Sequence, residues 1–557
     1  MRSTKSPSQL VELLVILSLG IFLYAIHFYD YFPSFDSSIY CFDDPDDAKV
    51  YSWNTWHFSH QVSQLKNPFH TDYLFSPEGS GLWMHAYTVW FGVLNLLFDN
   101  VYLAINVGIM IQLLVAFVGF YYLAKRLIGN KYLAAAVACF AVFNFYILSK
   151  VGVHYNLVLI GILPFLLIQI MELFDLETLQ FRGNSKLIIG LLLLLILGIF
   201  MEYYVVFYAL AFLLIYVLWV GFFARWFGSW SWKKSGVLAL VLGLGHVVAR
   251  LLRITGVDEK GAIWGAPDIQ LLWWKSATAH EGIHAINTLN DNKVYIGLSV
   301  LVLFALALYV YFSSYRKNKT AQFLLFGTTL FFMVTFPVFR WGEHDIFYHL
   351  TSIIHYIPGI QNIRAPDRFV LMFILFLVLF ITYIVYSYLK DNKRPNYMPL
   401  MAWFMVSLVV SSFRTGKMQP VNTVSHSKLL AKLENKPILI LPFGIRDGYR
   451  EYGDFDEDQL LLQQKYHFHI SNGYLSRVSD EHWAQAASTP LFSALVALQA
   501  DTLVEEVEWR KLIKQSVYKQ VFVPHKYKQE NPQISRMIEQ LPVPNQEDEY
   551  GVLYTLD

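Results

Sequence analysis

Long apolar runs separated by short basic turns dominate the chain from residue 9 to about residue 412. A helix of about 20 apolar residues crosses the hydrocarbon core of a bilayer. Runs of this kind fall near 9–29, 101–124, 132–148, 155–174, 187–203, 205–224, 236–252, 294–313, 321–338, 368–389 and 397–412. The pattern therefore predicts about eleven transmembrane helices. The run 86–98 is apolar but short, and reads as re-entrant or interfacial. The first run follows Arg2 and Lys5 and ends in bulky Phe28, Tyr29 and Tyr31, with no small-residue cleavage site, so it predicts a retained helix rather than a signal peptide.

The polar residues between runs sort by side. Alternate turns carry Lys125, Arg126 and Lys131; Arg182 and Lys186; Arg225, Lys233 and Lys234; Arg316, Lys317 and Lys319; and Lys390, Lys393 and Arg394. The connections 30–100, 253–293 and 339–367 are long and sparsely basic. Basic turns face the cytoplasm, which puts the N-terminus inside and, with an odd number of spans, the tail outside. From about residue 413 the periodicity changes. ILILPFG (438–444) predicts a buried strand running into a turn, 480–500 a helix, and 518–524 and 551–555 further strands. The expected architecture is a polytopic α-helical membrane domain over 1–412, with its first outer loop at 30–100, followed by a small extracytoplasmic α/β domain over 413–557. No internal repeat, coiled coil or low-complexity tract is evident.

Composition agrees with a membrane protein: charged residues make up 15% of the 557, against about 25% in soluble domains. Aromatics reach 17%, as expected where many segment ends lie among lipid headgroups. A formal net charge of +1 argues against a broad nucleic-acid footprint. Cys41 and Cys139, the only cysteines, give neither a disulfide framework nor a thiolate metal site.

Candidate chemistry collects on the predicted outer side. FDDPDDAKVYSWNTWHF (42–58) holds Asp43, Asp44, Asp46 and Asp47, which repel one another unless a cation, a proton or a donor is near. A solvated acidic loop turning at Asp44-Pro45 is one reading. The sequel favours another: Val50, Trp53, Asn54, Trp56, His57 and His60 continue without Gly or Pro and line one helix face. That helix is expected to lie along the membrane surface. Asp47 stands at its start, favoured by free backbone N–H groups and the helix dipole and placed to act as a general base. The segment 67–88 adds His70, Asp72, Glu78 and His85. These could ligate a divalent metal, but no tight ligand spacing is present and an ordered polar loop is the better reading. His154 and Glu202 lie at predicted outer ends of spans, where a charge marks a functional candidate. Arg250 and Arg253 end another span, and QNIRAPDRFVLMF (361–373) sets Arg364 and Arg368 four apart around Pro366. Each arginine alone is equally well read as an interfacial anchor. Gathered with acids on one side, they suit a lipid phosphate.

Two motifs carry a resemblance. DPDDAKVYSWNTWHF, followed by NPFHTDYLFSPEG, resembles the first outer loop of bacterial membrane glycosyltransferases of the GT-C superfamily, in which an acidic pair precedes an aromatic-rich helix. RAPDRF resembles their Arg-x-Pro-x-Arg-Phe element, and the order of parts is similar along most of the chain. The resemblance implies inverting sugar transfer from a polyprenyl-phosphate-linked donor to a glycan, lipid or protein acceptor at the outer face, with a loop Asp as base. Matching the acidic pair to Trp53 selects Asp44 and Asp47. Arg364 and Arg368 match the second element, and charge and depth make them, with Arg250, the candidates for the donor phosphate. Trp53, His57, His85, His154 and Glu202 are the substrate-contacting candidates. Asp43 and Asp46 enlarge the acidic set beyond a pair, which leaves open which carboxylate is the base. Some members of the superfamily use a divalent cation and others do not, so Mg or Mn stays open as a cofactor. No P-loop and no dinucleotide-type glycine signature is present. A lipid or glycan transporter or flippase would call for broken polar helices at the bilayer midplane and related halves. A polysaccharide polymerase or ligase would place its chemistry around 339–368.

Overall fold

A computed structural model of the protein describes residues 7–41, 46–83, 85–173, 181, 183–223, 240, 243–248, 250, 269–272, 294–341, 344–349, 351–353, 366–393, 396–403, 419–420, 427–433, 437–448, 450–500, 508–531, 533–542 and 546–555. The chain forms two compact units: Met1–Phe32 with Ile109–Lys417, and Pro33–Gly108 with Met418–Asp557. The first outer loop thus belongs with the tail, a boundary that differs from the one the hydropathy pattern suggests.

Among the described residues, six helices are long and apolar enough to cross a membrane: Gln9–Ser34, Val101–Ile128, Lys131–Lys150, Tyr203–Gly221, Leu298–Tyr315 and Pro366–Asp391. The expected eleven spans include others that form shorter elements. The runs 187–203 and 321–338 become Ser185–Met201 and Lys319–Thr335, each of 17 residues, at the lower limit for a span. The run 155–174 divides into a 3-10 turn, Tyr155–Val158, and the helix Leu163–Leu173, with Pro164 in the first helical turn, where its missing N–H costs nothing. The runs 236–252 and 397–412 lie largely outside the described residues. The apolar run 86–98 forms only the ten-residue helix Val89–Phe98.

In the first unit the helix Val370–Asp391 is central, packing on Lys319–Thr335, Leu298–Val310 and Lys131–Val142. Of its apolar window 83% is buried within the protein, against 22% for the N-terminal helix. A Cβ on Gly327 would stand 2.1 Å from the Phe376 ring, so only glycine lets Lys319–Thr335 approach the central helix this closely. Leu163–Leu173 packs on both Ser185–Met201 and Tyr203–Leu218.

The second unit is built on a five-stranded sheet ordered His469–Ile470, Pro437–Ile440, Gln520–Pro524, Gly551–Thr555, Gln546–Glu547. The first three strands are parallel and the last two antiparallel to their neighbours. Register pairs Phe522 with Ile440 on one side and Leu553 on the other, all three buried, as continuous apolar strands covered on both faces require. The strands read from 438–444, 518–524 and 551–555 are found here, and 480–500 forms the helices Asp480–Ser488 and Pro490–Gln499. A second sheet joins Gly473–Tyr474, Gly444–Arg446 and Glu451–Gly453.

The aromatic helix Asp46–Ser63 packs within this unit, against Val89–Phe98 and Asp458–Tyr466. Its aromatic face is covered by protein rather than lying in a lipid interface: Trp53 is 1% exposed and Trp56 8%. The Trp53 indole N–H donates to Gln463 Oε1 at 2.6 Å, and Gln463 Nε2 donates in turn to the Tyr73 carbonyl at 2.6 Å and the Phe468 carbonyl at 2.9 Å. Ser52 Oγ donates to Gln464 Oε1 at 2.8 Å, and Lys49 pairs with Asp458 at 2.8 Å. Loop and tail therefore share one polar seam and one core.

Candidate functional site

Two groups of sequence candidates emerge, one in each unit. In the second unit Asp47 lies half-buried in the first turn of Asp46–Ser63, where the dipole and free N–H groups favour a carboxylate. Its negative charge acts on His85. Asp44 lies outside the described residues, as do Asp43 and the side chain of Asp46.

Three other candidates of this loop, His85, His57 and Trp53, have partners within the protein. His85 is 3% exposed; its Nδ1 accepts from the Ser476 backbone N–H at 2.9 Å, and its Nε2 lies 2.9 Å from Asn54 Oδ1. This pattern assigns the neutral tautomer with the proton on Nε2. His57 is fully buried, with Nδ1 2.9 Å from the Tyr87 hydroxyl and Nε2 3.4 Å from Gln61 Nε2, and it stacks on Trp53 at 4.7 Å between centroids. Burial pushes both imidazoles down to about 3, with neighbouring histidines adding to the fall at His57 and Asp47 opposing it at His85. Trp53, His57 and His85 thus have their polar atoms bound within the protein, and packing accounts for them without a substrate. Sequence periodicity marks the face they share but not what covers it.

In the first unit three helix ends bring charges together. Glu202 leaves the helical conformation between Ser185–Met201 and Tyr203–Leu218, and its carboxylate caps the second helix by accepting from the Tyr204 N–H at 3.2 Å. It is 4% exposed and hydrogen-bonds the Asn156 side chain. Asn156 sits in the turn Tyr155–Val158, which His154 precedes at the N-cap position. Arg368, in the 3-10 turn Pro366–Phe369 ahead of the central helix, places its guanidinium 4.9 Å from the centroid of the Tyr204 ring and donates to the Tyr204 hydroxyl. The Tyr208 hydroxyl donates to the Arg368 carbonyl at 2.7 Å. Next to it Asp367, with no exposed surface, faces Lys150, 1% exposed, at 3.9 Å. The structure therefore brings Arg368, Glu202 and the His154 turn together. It adds Lys150, Asp367, Asn156, Tyr204 and Tyr208, which the sequence reading had not placed in a site. Their signal was present: a lysine and an aspartate directly at the ends of apolar runs. Arg250 is engaged elsewhere, on the hairpin Val338–Trp341/His344–Tyr348, donating to the Asp345 carbonyl at 3.3 Å and lying 5.2 Å from the Tyr348 ring centroid. Arg364 and Arg253 lie outside the described residues.

Among the described residues no three His, Cys, Asp or Glu side chains are grouped to hold a metal ion. The mixed set of 67–88 is not gathered as a ligand shell: His85 is bound as above, and Asp72 offers its carbonyl to His469 Nδ1 at 2.8 Å.

The chain is thus a multi-pass membrane protein in which a sheet-containing unit carries the acidic loop and the helical unit carries a buried ionic cluster. It is similar to solved structures of the oligosaccharyltransferase of the archaeon Archaeoglobus fulgidus. One is the apo form, with 12% identity over 97% of this chain and 72% of that one, at a TM-score of 0.41. Another is described as AglB in complex with an inhibitory peptide and a dolichol-phosphate, with 11% identity over 96% and 71% and a TM-score of 0.38. A third is a complex with Zn and sulfate, with 12% identity over 94% and 69% and a TM-score of 0.40. At such scores the relation is a likeness, and it carries no activity across. No protein-family model matches the chain, and no curated protein matches it in sequence.

Proposed function

We propose that the protein is a membrane glycosyltransferase that moves a sugar from a polyprenyl-phosphate-linked donor to a hydroxyl-bearing acceptor at the outer face of the cell membrane. In this reading the N-terminus is cytoplasmic and the sheet-containing unit extracytoplasmic. The observation that carries it is the ionic cluster around Arg368. An apolar helical unit retains buried charge at a high desolvation cost, and a guanidinium held by the Tyr204 hydroxyl and ring, on a residue whose backbone carbonyl Tyr208 anchors, is preorganised for a phosphate.

Asp47 or Asp44 takes the proton of the acceptor hydroxyl. The acceptor oxygen forms a bond to the anomeric carbon as the bond from that carbon to the phosphate oxygen breaks. Attack opposite the leaving group inverts the anomeric centre. The electron pair leaves on the lipid phosphate, whose growing negative charge Arg368 stabilises, joined by Arg364. The oxygen donors of Asp44 and Asp47 would suit Mg or Mn, though no step above requires a metal.

The test is reconstitution of the full chain in lipid vesicles with radiolabelled polyprenyl-phosphate hexose. Label is expected to leave the prenyl lipid. Arg368→Ala is expected to weaken donor binding by about tenfold or more, the loss of one or two charge-assisted hydrogen bonds. Transport of the intact lipid across the vesicle without release of sugar would favour a flippase instead.

A further inference from the structure

The second unit contains a cavity of about 210 Å³ that none of the proposed catalytic residues lines. Its floor is aromatic, formed by Phe75 from the first loop with Phe492 and Tyr518 from the tail, all nearly fully buried. Its rim carries three exposed polar side chains, Glu78, Gln485 and Gln515, none of which makes a side-chain hydrogen bond to another described residue.

The walls are held rigidly. Phe75 adopts a left-handed backbone conformation, φ 54°, which a non-glycine residue takes only when its surroundings enforce it. The enforcing contacts are visible: the Phe75 N–H donates to the Asn472 carbonyl at 3.2 Å, Ser76 N–H to the Ile470 carbonyl at 2.9 Å, and the Tyr518 hydroxyl to the Ser76 carbonyl. His482 Nε2 reaches the Gly79 carbonyl at 2.9 Å. A Cβ on Gly473 would stand 2.5 Å from the Phe75 ring, so the ring occupies space that only glycine leaves open. Phe492 is fixed from behind by stacking on Phe443 at 4.4 Å. Strain held at a preformed, partly open cavity points to binding rather than to core packing.

The chemistry of the lining selects the ligand class. Among the described residues no Lys or Arg lines the cavity, and Glu78 repels anions, so a phosphate or carboxylate ligand is disfavoured. The volume is below the ~300–1,000 Å³ of drug-sized sites, which suits a single ring. Two carboxamides and one carboxylate each present planar pairs of polar atoms, matched to neighbouring hydroxyls, above an apolar floor that suits the C–H face of a pyranose. We propose that this cavity binds one neutral sugar ring, and that it serves as the subsite for a saccharide acceptor. The saccharide identity of the acceptor rests on the glycosyltransferase reading, whereas sugar binding does not.

Saturation-transfer NMR on the full chain in nanodiscs tests the site without requiring turnover. The probes are the methyl glycosides of glucose, galactose, mannose and N-acetylglucosamine, with inorganic phosphate and a neutral hexapeptide as controls. At least one glycoside is expected to bind saturably. Gln485→Ala with Gln515→Ala is expected to weaken it by about tenfold, with unchanged thermal melting because both side chains are exposed. Gly473→Ala, which displaces the Phe75 ring, is expected to weaken it as well. No saturable binding by any glycoside, binding indifferent to these substitutions, or preference for phosphate or the peptide would overturn the proposal. Glycoside binding that persists in a protein inactive in sugar transfer would sink the enzymatic reading while leaving the subsite standing.

Discussion

Two buried polar networks, one in each unit, differ in kind. Around the aromatic helix of the sheet-containing unit the buried polar network is neutral and hydrogen-bonded: Trp53 with Gln463, Gln463 with the Tyr73 and Phe468 carbonyls, His85 with Asn54 and Ser476. In the helical unit the cluster at the helix ends contains charged side chains, Lys150 with Asp367 and Glu202 beside Arg368. Neutral, saturated networks specify a core and add stability. Buried ion pairs recover little more than their desolvation cost, so their retention calls for another reason, and function at a membrane-embedded site is the one adopted above.

Substitutions that reach the interior of each unit should expose the contrast most strongly. Trp53→Ala empties a large site and strands the Gln463 amide, and should cost the sheet-containing unit about 3–5 kcal/mol. Hydrogen exchange of Pro437–Ile440 and Gln520–Pro524 should accelerate, while Val370–Asp391 stays protected; equal loosening of both segments would mean that the division into units is wrong. Asp367→Asn leaves the Lys150 ammonium buried without its counter-charge and should cost the helical unit about 3 kcal/mol. The double substitution Lys150→Met with Asp367→Leu should recover most of that in a thermal melt, and a silent single substitution would refute the buried pair.

Acid should separate the units more gently. The folded-state values of His57 and His85 are depressed to about 3 from an ordinary 6.5. Above pH 6.5 both states are neutral and the stability is fully present. As pH falls towards 3 the unfolded chain takes up protons that the folded unit refuses, and stability is lost at roughly 1 kcal/mol per pH unit per histidine. Denaturation of the sheet-containing unit followed from pH 7 to pH 4 should show this slope, and His85→Asn should reduce it; a flat profile would show that the histidines are not buried as neutral groups. The smallest effect is expected at Lys49. Its pair with Asp458 is partly exposed, at 12% and 36%, so Lys49→Ala should change stability by about 1 kcal/mol or less. A larger loss would make the seam more electrostatic than its geometry suggests.

Much of this was legible from residue pattern. Residues 368–389 are apolar for long enough that only a span accommodates them, and Val370–Asp391 is the central helix. ILIL at 438–441 is legible as a buried strand because four apolar residues run into Pro442, and 438–440 lie in the strand Pro437–Ile440. The covering of the aromatic helix was not legible. Periodicity shows that Trp53 and Trp56 share an apolar face, but lipid and protein cover such a face equally well. The deciding partner, Gln463, lies 410 residues away in sequence. The same limit hid the Lys150–Asp367 pair, whose members sit in two separate connections between predicted spans, 149–154 and 339–367. Glu202 could be flagged because a carboxylate between two apolar helices is costly wherever it lands, although its capping bond to Tyr204 needed coordinates.

The central claim is that a first-loop carboxylate serves as the base for sugar transfer. The most direct measurement is the single-turnover rate of transfer from labelled polyprenyl-phosphate hexose for Asp47→Asn and Asp44→Asn, made separately in the full chain. The account predicts a fall of about 10²–10⁴-fold for at least one of them, with donor binding and thermal melting unchanged. Transfer at the wild-type rate in both would contradict it.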